Sequence, residues 1–233
     1  MQKTVYGQAR LSIIPIRANA SHSSEMVSQL LYNETYTILK QEEDWLYIEC
    51  LHDGYKGWIA ENQVHYISQE IFDTPFKRYN PDLIEWDQQL ELNLFMGSPF
   101  YDLAPSIVPP IERVCNAAKQ FLNSPYLWGG RTGAGVDCSG LVQVAFRMGN
   151  ILLPRDAAQQ AKVGKKVAWE DRQRGDVAFF KDKTGKITHV GLLLSPDTIL
   201  HASAWVRIDK IDSVGIFHQN ICTHELSLIK RMR

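Results

Sequence analysis

The sequence predicts two domains in series: a small all-β barrel, then an α+β domain. Three observations carry this. Through residue 69, short strand-like runs alternate with turn signals. Between residues 70 and 109–110 the chain crowds Pro75, Pro81, Pro99, Pro105, Pro109 and Pro110, six of its ten prolines, a composition that suits a partly extended linker. Beyond Pro110, helix-period segments come first and strand-like runs follow, the order of an α+β domain. The expected division is therefore 1–69, a linker at 70–109, and 110–233, and a length of 233 residues accommodates it.

The first domain is read from runs at Ser12 to Arg17, Gln29 to Leu31, Thr35 to Gln41, Trp45 to Leu51 and Gly57 to Ile59. In DWLYIEC, Trp45, Tyr47 and Glu49 alternate with Leu46, Ile48 and Cys50, which predicts a strand with one buried face. HDGYKGWIAENQV follows as a turn, a strand and an exit. Within the linker, LIEWDQQLELNLF is expected to form a helical turn. In IERVCNAAKQFLN, Ile111, Val114, Cys115, Ala118 and Phe121/Leu122 recur at helical spacing. The Gly-rich loop PYLWGGRTGAGV leads into DCSGLVQVAFRMGN, where Cys138, Leu141, Val142, Ala145 and Phe146 form an amphipathic stripe. Asp137 is placed to cap that helix and Gly149 to end it. Strands are expected at DVAFFK, ITHVGLLL, TILHASA, VRIDKI and HELSLIKRM.

The chain is 45% hydrophobic and 22% charged, an ordinary globular mix that argues against disorder. Lys and Arg number 25 against 26 Asp and Glu, for a net charge of −1 without a basic run, so neither nucleic acid nor membrane is an expected partner. The N-terminus has no uninterrupted apolar stretch before a small-residue cleavage site, which gives a cytoplasmic expectation; a chain from which an export signal had been cut would read the same. The cysteines at 50, 115, 138 and 222 show neither C-x-x-C nor zinc-ligand spacing, so free thiols and no metal or other cofactor are expected.

Cys138 opens its helix, where unpaired N–H groups and the helix dipole favour an anion, so a lowered thiol pKa is expected once an imidazolium is near. Taken alone, it reads equally as a core cysteine on an apolar stripe. His189 and His201 lie on consecutive strands. With the turn centred on Ser195 they would sit directly opposite each other, about 5 Å apart at Cβ, whereas a slip of one residue would put them on opposite faces.

In order and spacing, PYLWGG, DCSG, LPRDAAQQ, RGDVAFF, THVGLLL and ILHAS resemble the NlpC-type peptidases of bacterial cell walls, a papain-like α+β fold. W-L-Y-I followed by G-Y-K-G-W-I resembles the last hairpin of a bacterial SH3-like domain. The resemblance implies Cys138 as nucleophile, His189 as base, His201 as the residue that orients the base, and Tyr126 as an oxyanion contact beside the Cys138 N–H. Trp128 reads as a wall of the substrate groove or as loop chemistry.

Domain order and length resemble the γ-D-glutamyl-L-diamino acid endopeptidases. That likeness implies a murein tripeptide or longer stem peptide with a free L-Ala amine as substrate. Glu25 and Tyr55 from the barrel and Asp156 from the second domain would bind the ammonium. Asp137 and Ser139 are carried over as further substrate contacts. Ala157 stands where relatives often have Ser, so one hydrogen bond to substrate is absent or supplied by backbone. Two other readings stay open: a secreted wall-remodelling endopeptidase or amidase, and a non-catalytic wall- or peptide-binding protein.

Overall fold

The alternation in DWLYIEC is realised in the structure: Leu46, Ile48 and Cys50 are buried, and Trp45, Tyr47 and Glu49 are half-exposed on the other face. This strand belongs to a seven-stranded antiparallel sheet formed by β1 (Val5–Gln8), β2 (Ile13–Arg17), β3 (Met26–Leu31), β4 (Thr35–Glu42), β5 (Trp45–Cys50), β6 (Lys56–Ala60) and β7 (His65–Ile67), in the order β3-β2-β6-β5-β4-β1-β7. Ala9, Ile14, Ile16, Leu30, Tyr36, Leu46, Ile48 and Ile59 fill its core, an SH3-like arrangement. The computed structural model describes residues 4–76, 78–100 and 108–232. Among these, no helix is long and apolar enough to cross a membrane.

Two compact units make up the chain: Met1–Ser106 with Trp128–Gly130, and Ile107–Leu127 with Arg131–Arg233. In the first unit, the short helix α1 (Gln69–Asp73) leads from the barrel into paired strands where the prolines suggest a linker. β8 (Arg78–Tyr79) pairs with β11 (Pro99–Phe100), and between them β9 (Ile84–Asp87) pairs with β10 (Leu92–Phe95). The helical turn expected over LIEWDQQLELNLF is therefore a hairpin. The Asp87 carboxylate accepts from the N–H groups of Gln89 and Leu90 at 2.9 and 3.0 Å, and Glu91 takes a left-handed φ of 53°, so the turn closes before a helix can propagate.

The second unit opens with α2 (Pro110–Gln120), whose N-terminal proline suits a first helical position. It buries Val114, Cys115, Ala117 and Ala118. A small ribbon, β12 (Arg131–Thr132) and β13 (Gly135–Val136), precedes α3 (Cys138–Met148), and α4 (Ala157–Gln160) follows it. Then come β14 (Lys165–Val167), β15 (Val177–Lys181), β16 (Ile187–Ser195), β17 (Thr198–Ser203), β18 (Trp205–Ile211), β19 (Gly215–His218) and β20 (Ile221–Arg231).

Adjacent strands pair in the order β14-β20-β15-β16-β17-β18-β19, and β19 also pairs with β20. These antiparallel pairings make a ring of six strands, closed by β20, with β14 alongside. Nearly all of α3 is buried, and its closest partners are α2 and β16.

Candidate active site

Asp137 caps α3 as its sequence position predicts: its Oδ1 accepts from the Gly140 N–H at 2.7 Å. The same carboxylate takes two parallel bonds from Arg155, at 3.0 and 2.6 Å, while Arg155 also donates to Ser139 Oγ at 2.9 Å. Gln160 steadies this turn from α4 by donating to the Ser139 carbonyl at 3.0 Å. Asp137, Ser139 and Arg155 are all buried. Expected as substrate contacts, Asp137 and Ser139 are engaged here in building the helix start. Arg155 sits within the L-P-R-D motif, yet its partner Asp137 is visible only once α3 and α4 are folded together.

Cys138 is therefore the first residue of a fixed, buried helix, 6% exposed. The N–H of Val190, next to His189 on β16, lies against the sulfur, as does that of Ser139. These contacts favour a thiolate, but burial foremost and the Asp137 charge next push the thiol up to about 12. His189 is held well below the ordinary histidine value, by burial and then by His224 and His201. Burial thus opposes the lowered thiol pKa expected from the helix end, and it opposes the charged form of the histidine in the same way. Tyr126, half-buried, has its phenol raised by burial and by the charges of Cys138 and Asp137, which keeps its hydroxyl protonated.

His189 and His201 meet at 2.9 Å, Nε2 to Nδ1. They are not directly opposite. Leu192 pairs with Leu200 and Leu193 with Ile199, so the turn falls at Pro196–Asp197, later than a turn centred on Ser195. A shift of this kind moves the register by two and keeps both rings on one face, as diagonal neighbours. Gly191 then lies beside His201: a Cβ there would come within 2.9 Å of the His201 Cβ and 2.7 Å of Ile199, so the glycine in T-H-V-G makes room for the second histidine.

Two further groups reach this cluster without having been singled out in the sequence. His224, on β20, stacks on His189 with ring centroids 4.1 Å apart and planes 27° apart. Asp209, on β18, accepts from His201 Nε2 at 2.9 Å. The signal was faint in both cases: R-I-D places Arg207 and Asp209 on one face of a strand, and H-E-L-S-L ends in an alternating run. Nitrogen atoms of His189, His201 and His224 lie within 4.8 Å of one another, close enough to suggest a metal cluster. However, the His189–His201 separation of 2.9 Å is shorter than the roughly 3.3 Å between two ligands around tetrahedral zinc with ~2.0–2.1 Å bonds, so the present geometry is that of a hydrogen bond.

Asp156 is the half-buried residue before α4, and its side chain does not cap that helix; Ala157 begins α4 and is buried. In the first unit, exposed Glu25 accepts from Trp128 Nε1 at 2.5 Å. Gly129, at φ +76°, passes so close to the Met26 carbonyl that a Cβ would sit 2.3 Å from it. The Tyr55 ring packs against the barrel core.

Residues 123–224 match the NlpC/P60 family, and residues 16–64 match the bacterial dipeptidyl-peptidase Sh3 domain. A gamma-D-glutamyl-L-lysine dipeptidyl-peptidase of Bacillus subtilis is 43% identical over 52% of this chain and 40% of its own length. Its namesake from Bacillus cereus is 25% identical over 78% of this chain and 68% of its own. The solved structure of an NlpC/P60 family protein from Bacillus cereus covers 97% of this chain and 99% of its own, with a TM-score of 0.80 at 19% identity, a likeness of fold. The cysteine at a helix start, the paired histidines and the two matched regions agree: this chain carries an NlpC/P60 domain behind a bacterial dipeptidyl-peptidase SH3 domain.

Proposed function

We propose that this chain is a cysteine endopeptidase that cuts between γ-D-Glu and the diamino acid of murein stem peptides bearing a free N-terminal L-Ala, and that it acts on released fragments in cell-wall recycling. The observation that carries the reading is the His189–His201 hydrogen bond of 2.9 Å on the strand whose Val190 N–H touches the Cys138 sulfur.

His189 takes up the thiol proton as sulfur attacks the γ-carbonyl carbon. The resulting oxyanion is held by the Cys138 N–H and the Tyr126 hydroxyl. Collapse breaks the C–N bond while the His189 imidazolium returns its proton to the leaving amine. Water, deprotonated by the same histidine, then hydrolyses the thioester and restores the thiol.

For the substrate, Glu25, Tyr55 and Trp128 in the first unit and Asp156 and Ala157 in the second are the proposed contacts. An ammonium taken out of water needs carboxylates around it. Glu25 has an oriented carboxylate, fixed by Trp128. Asp137 and Ser139 act one step back by holding the helix start with Arg155. The names of the two Bacillus relatives support the same bond class.

The test compares L-Ala-γ-D-Glu-diamino acid with its N-acetylated form. Turnover of the free peptide alone, lost in Cys138→Ala and His189→Ala, is the expected result. Glu25→Ala should raise KM for the free peptide at least tenfold with little effect on stability. Equal turnover of both peptides overturns the free-amine requirement, and activity surviving Cys138→Ala overturns the mechanism.

A further inference from the structure

Asp209 stands at the end of a hydrogen-bond chain that begins at His189. Its strand, β18, pairs with β17 so that Arg207 lies directly across from His201, and Asp209 is the next residue on the same face. Oδ2 of Asp209 accepts from His201 Nε2 at 2.9 Å and from Arg207 Nε at 2.7 Å. Its other oxygen faces His218 Nδ1 at 3.2 Å. Arg207 is itself anchored, donating also to the Ser203 carbonyl. The carboxylate is 8% exposed at its side chain.

The proton positions follow from these contacts. A carboxylate only accepts, so His201 must carry its hydrogen on Nε2. A neutral imidazole has one N–H, which leaves His201 Nδ1 as a bare lone pair. That lone pair lies 2.9 Å from His189 Nε2, so His189 must donate from Nε2. Nδ1 of His189 is then without a hydrogen, the form a base requires. If His201 were reversed, the chain would run the other way and His189 would present an N–H where a lone pair is needed.

We propose that Asp209 is a positioning residue that sets the tautomers of both His201 and His189 and thereby makes His189 Nδ1 the proton acceptor. This rests on the reading of His189 as the base. The partners of Asp209 are His201, Arg207 and His218, so it acts on the thiol only through the histidines. Its negative charge, two hydrogen bonds away, also favours the imidazolium that forms when the thiol proton arrives. Because Arg207 Nε and His201 Nε2 both need an acceptor at the same oxygen, an Asn at 209 keeps its carbonyl there and turns its NH₂ toward His218. The tautomers survive in Asp209→Asn, and only the charge is lost.

The first measurement uses the wild-type protein: nitrogen-15 chemical shifts of the histidine rings at neutral pH. Protonated Nε2 and bare Nδ1 on both His189 and His201 are expected; a protonated Nδ1 on either overturns the proposal, whatever the behaviour of any variant. Steady-state kinetics follow. Asp209→Ala should lower kcat on the order of 100-fold with KM within twofold, and its ring-nitrogen shifts should show mixed tautomers. Asp209→Asn should recover to within about tenfold of wild type with wild-type tautomers. Asp209→Ala with kcat within threefold of wild type, or unchanged ring shifts in that variant, overturns the assignment. If Cys138→Ala and His189→Ala are inactive while Asp209→Ala is not, only the role of Asp209 falls; if those two remain active, the reading of the site falls with it.

Discussion

Lowering the pH should unfold the histidine end of the peptidase unit before it does anything else, and the size of the effect can be worked from His201. Its side chain is fully buried, and desolvation pushes it down to about 4 against an ordinary value of 6.5, despite the hydrogen bond to Asp209 that opposes the shift. Above pH 6.5 the ring is neutral folded or unfolded, and protonation costs nothing. As the pH falls from 6.5 to about 4, the unfolded chain takes up a proton that the folded one refuses, so stability drains away at up to ~1.4 kcal/mol per pH unit. Over that window the loss is about 3 kcal/mol from His201 alone. His189 and His224 are also held below their ordinary values, so their contributions have the same sign. Asp209 is held low as well, and its carboxylate contribution is lost only at more acid pH. The assay is urea unfolding at pH 7.5, 6.0 and 4.5 for wild type and His201→Gln, with amide exchange of peptides spanning 187–203 reporting local opening. The wild type should lose about 2.5 kcal/mol more than the variant between the extremes. Parallel losses in the two proteins would refute the reasoning.

Arg155→Met leaves the Asp137 carboxylate buried without its two-pronged partner and should cost about 3–5 kcal/mol, read as a fall in the urea midpoint; an unchanged midpoint would show that the pair is replaceable. Gly191→Ala should cost about 1–3 kcal/mol by overpacking and lower kcat at least tenfold, because the added methyl crowds the carbon that carries the His201 ring; wild-type kcat would contradict the fit described. Iodoacetamide at pH 7 should modify Cys222 first, the exposed thiol, and Cys138 slowly, with the Cys138 rate climbing as the pH is raised; peptide mapping that finds Cys138 modified first would restore the thiolate reading.

Local chemistry was legible in the sequence wherever neighbours along the chain decide the outcome. Asp137 and Gly149 bound the helix they were expected to bound, and the alternation from Trp45 to Cys50 identified its buried face without help. The strand positions of His189 and His201 were legible, but their register was not, because Pro196 and Asp197 decide where the turn falls and Gly191 decides whether the second ring fits. The hairpin at Ile84–Phe95 was missed because apolar spacing over so short a run suits a helix as well as a strand, and Asp87 tips the balance through its own hydrogen bonds. Reading a helix start as an anion site left out burial, which depends on what the rest of the chain packs around it. Arg155, Asp209 and His224 escaped because each matters through a partner on another element of the fold.

The closing strand has a consequence for when the enzyme can exist at all. β20 pairs with β14, β15 and β19, so it borders three other strands and carries the ring that stacks on His189. Until residues 221–231 have left the ribosome, β15 and β19 are open edges and His189 lacks its stacking partner. A nascent chain therefore holds its thiol and both paired histidines before it holds the strand that completes their surroundings.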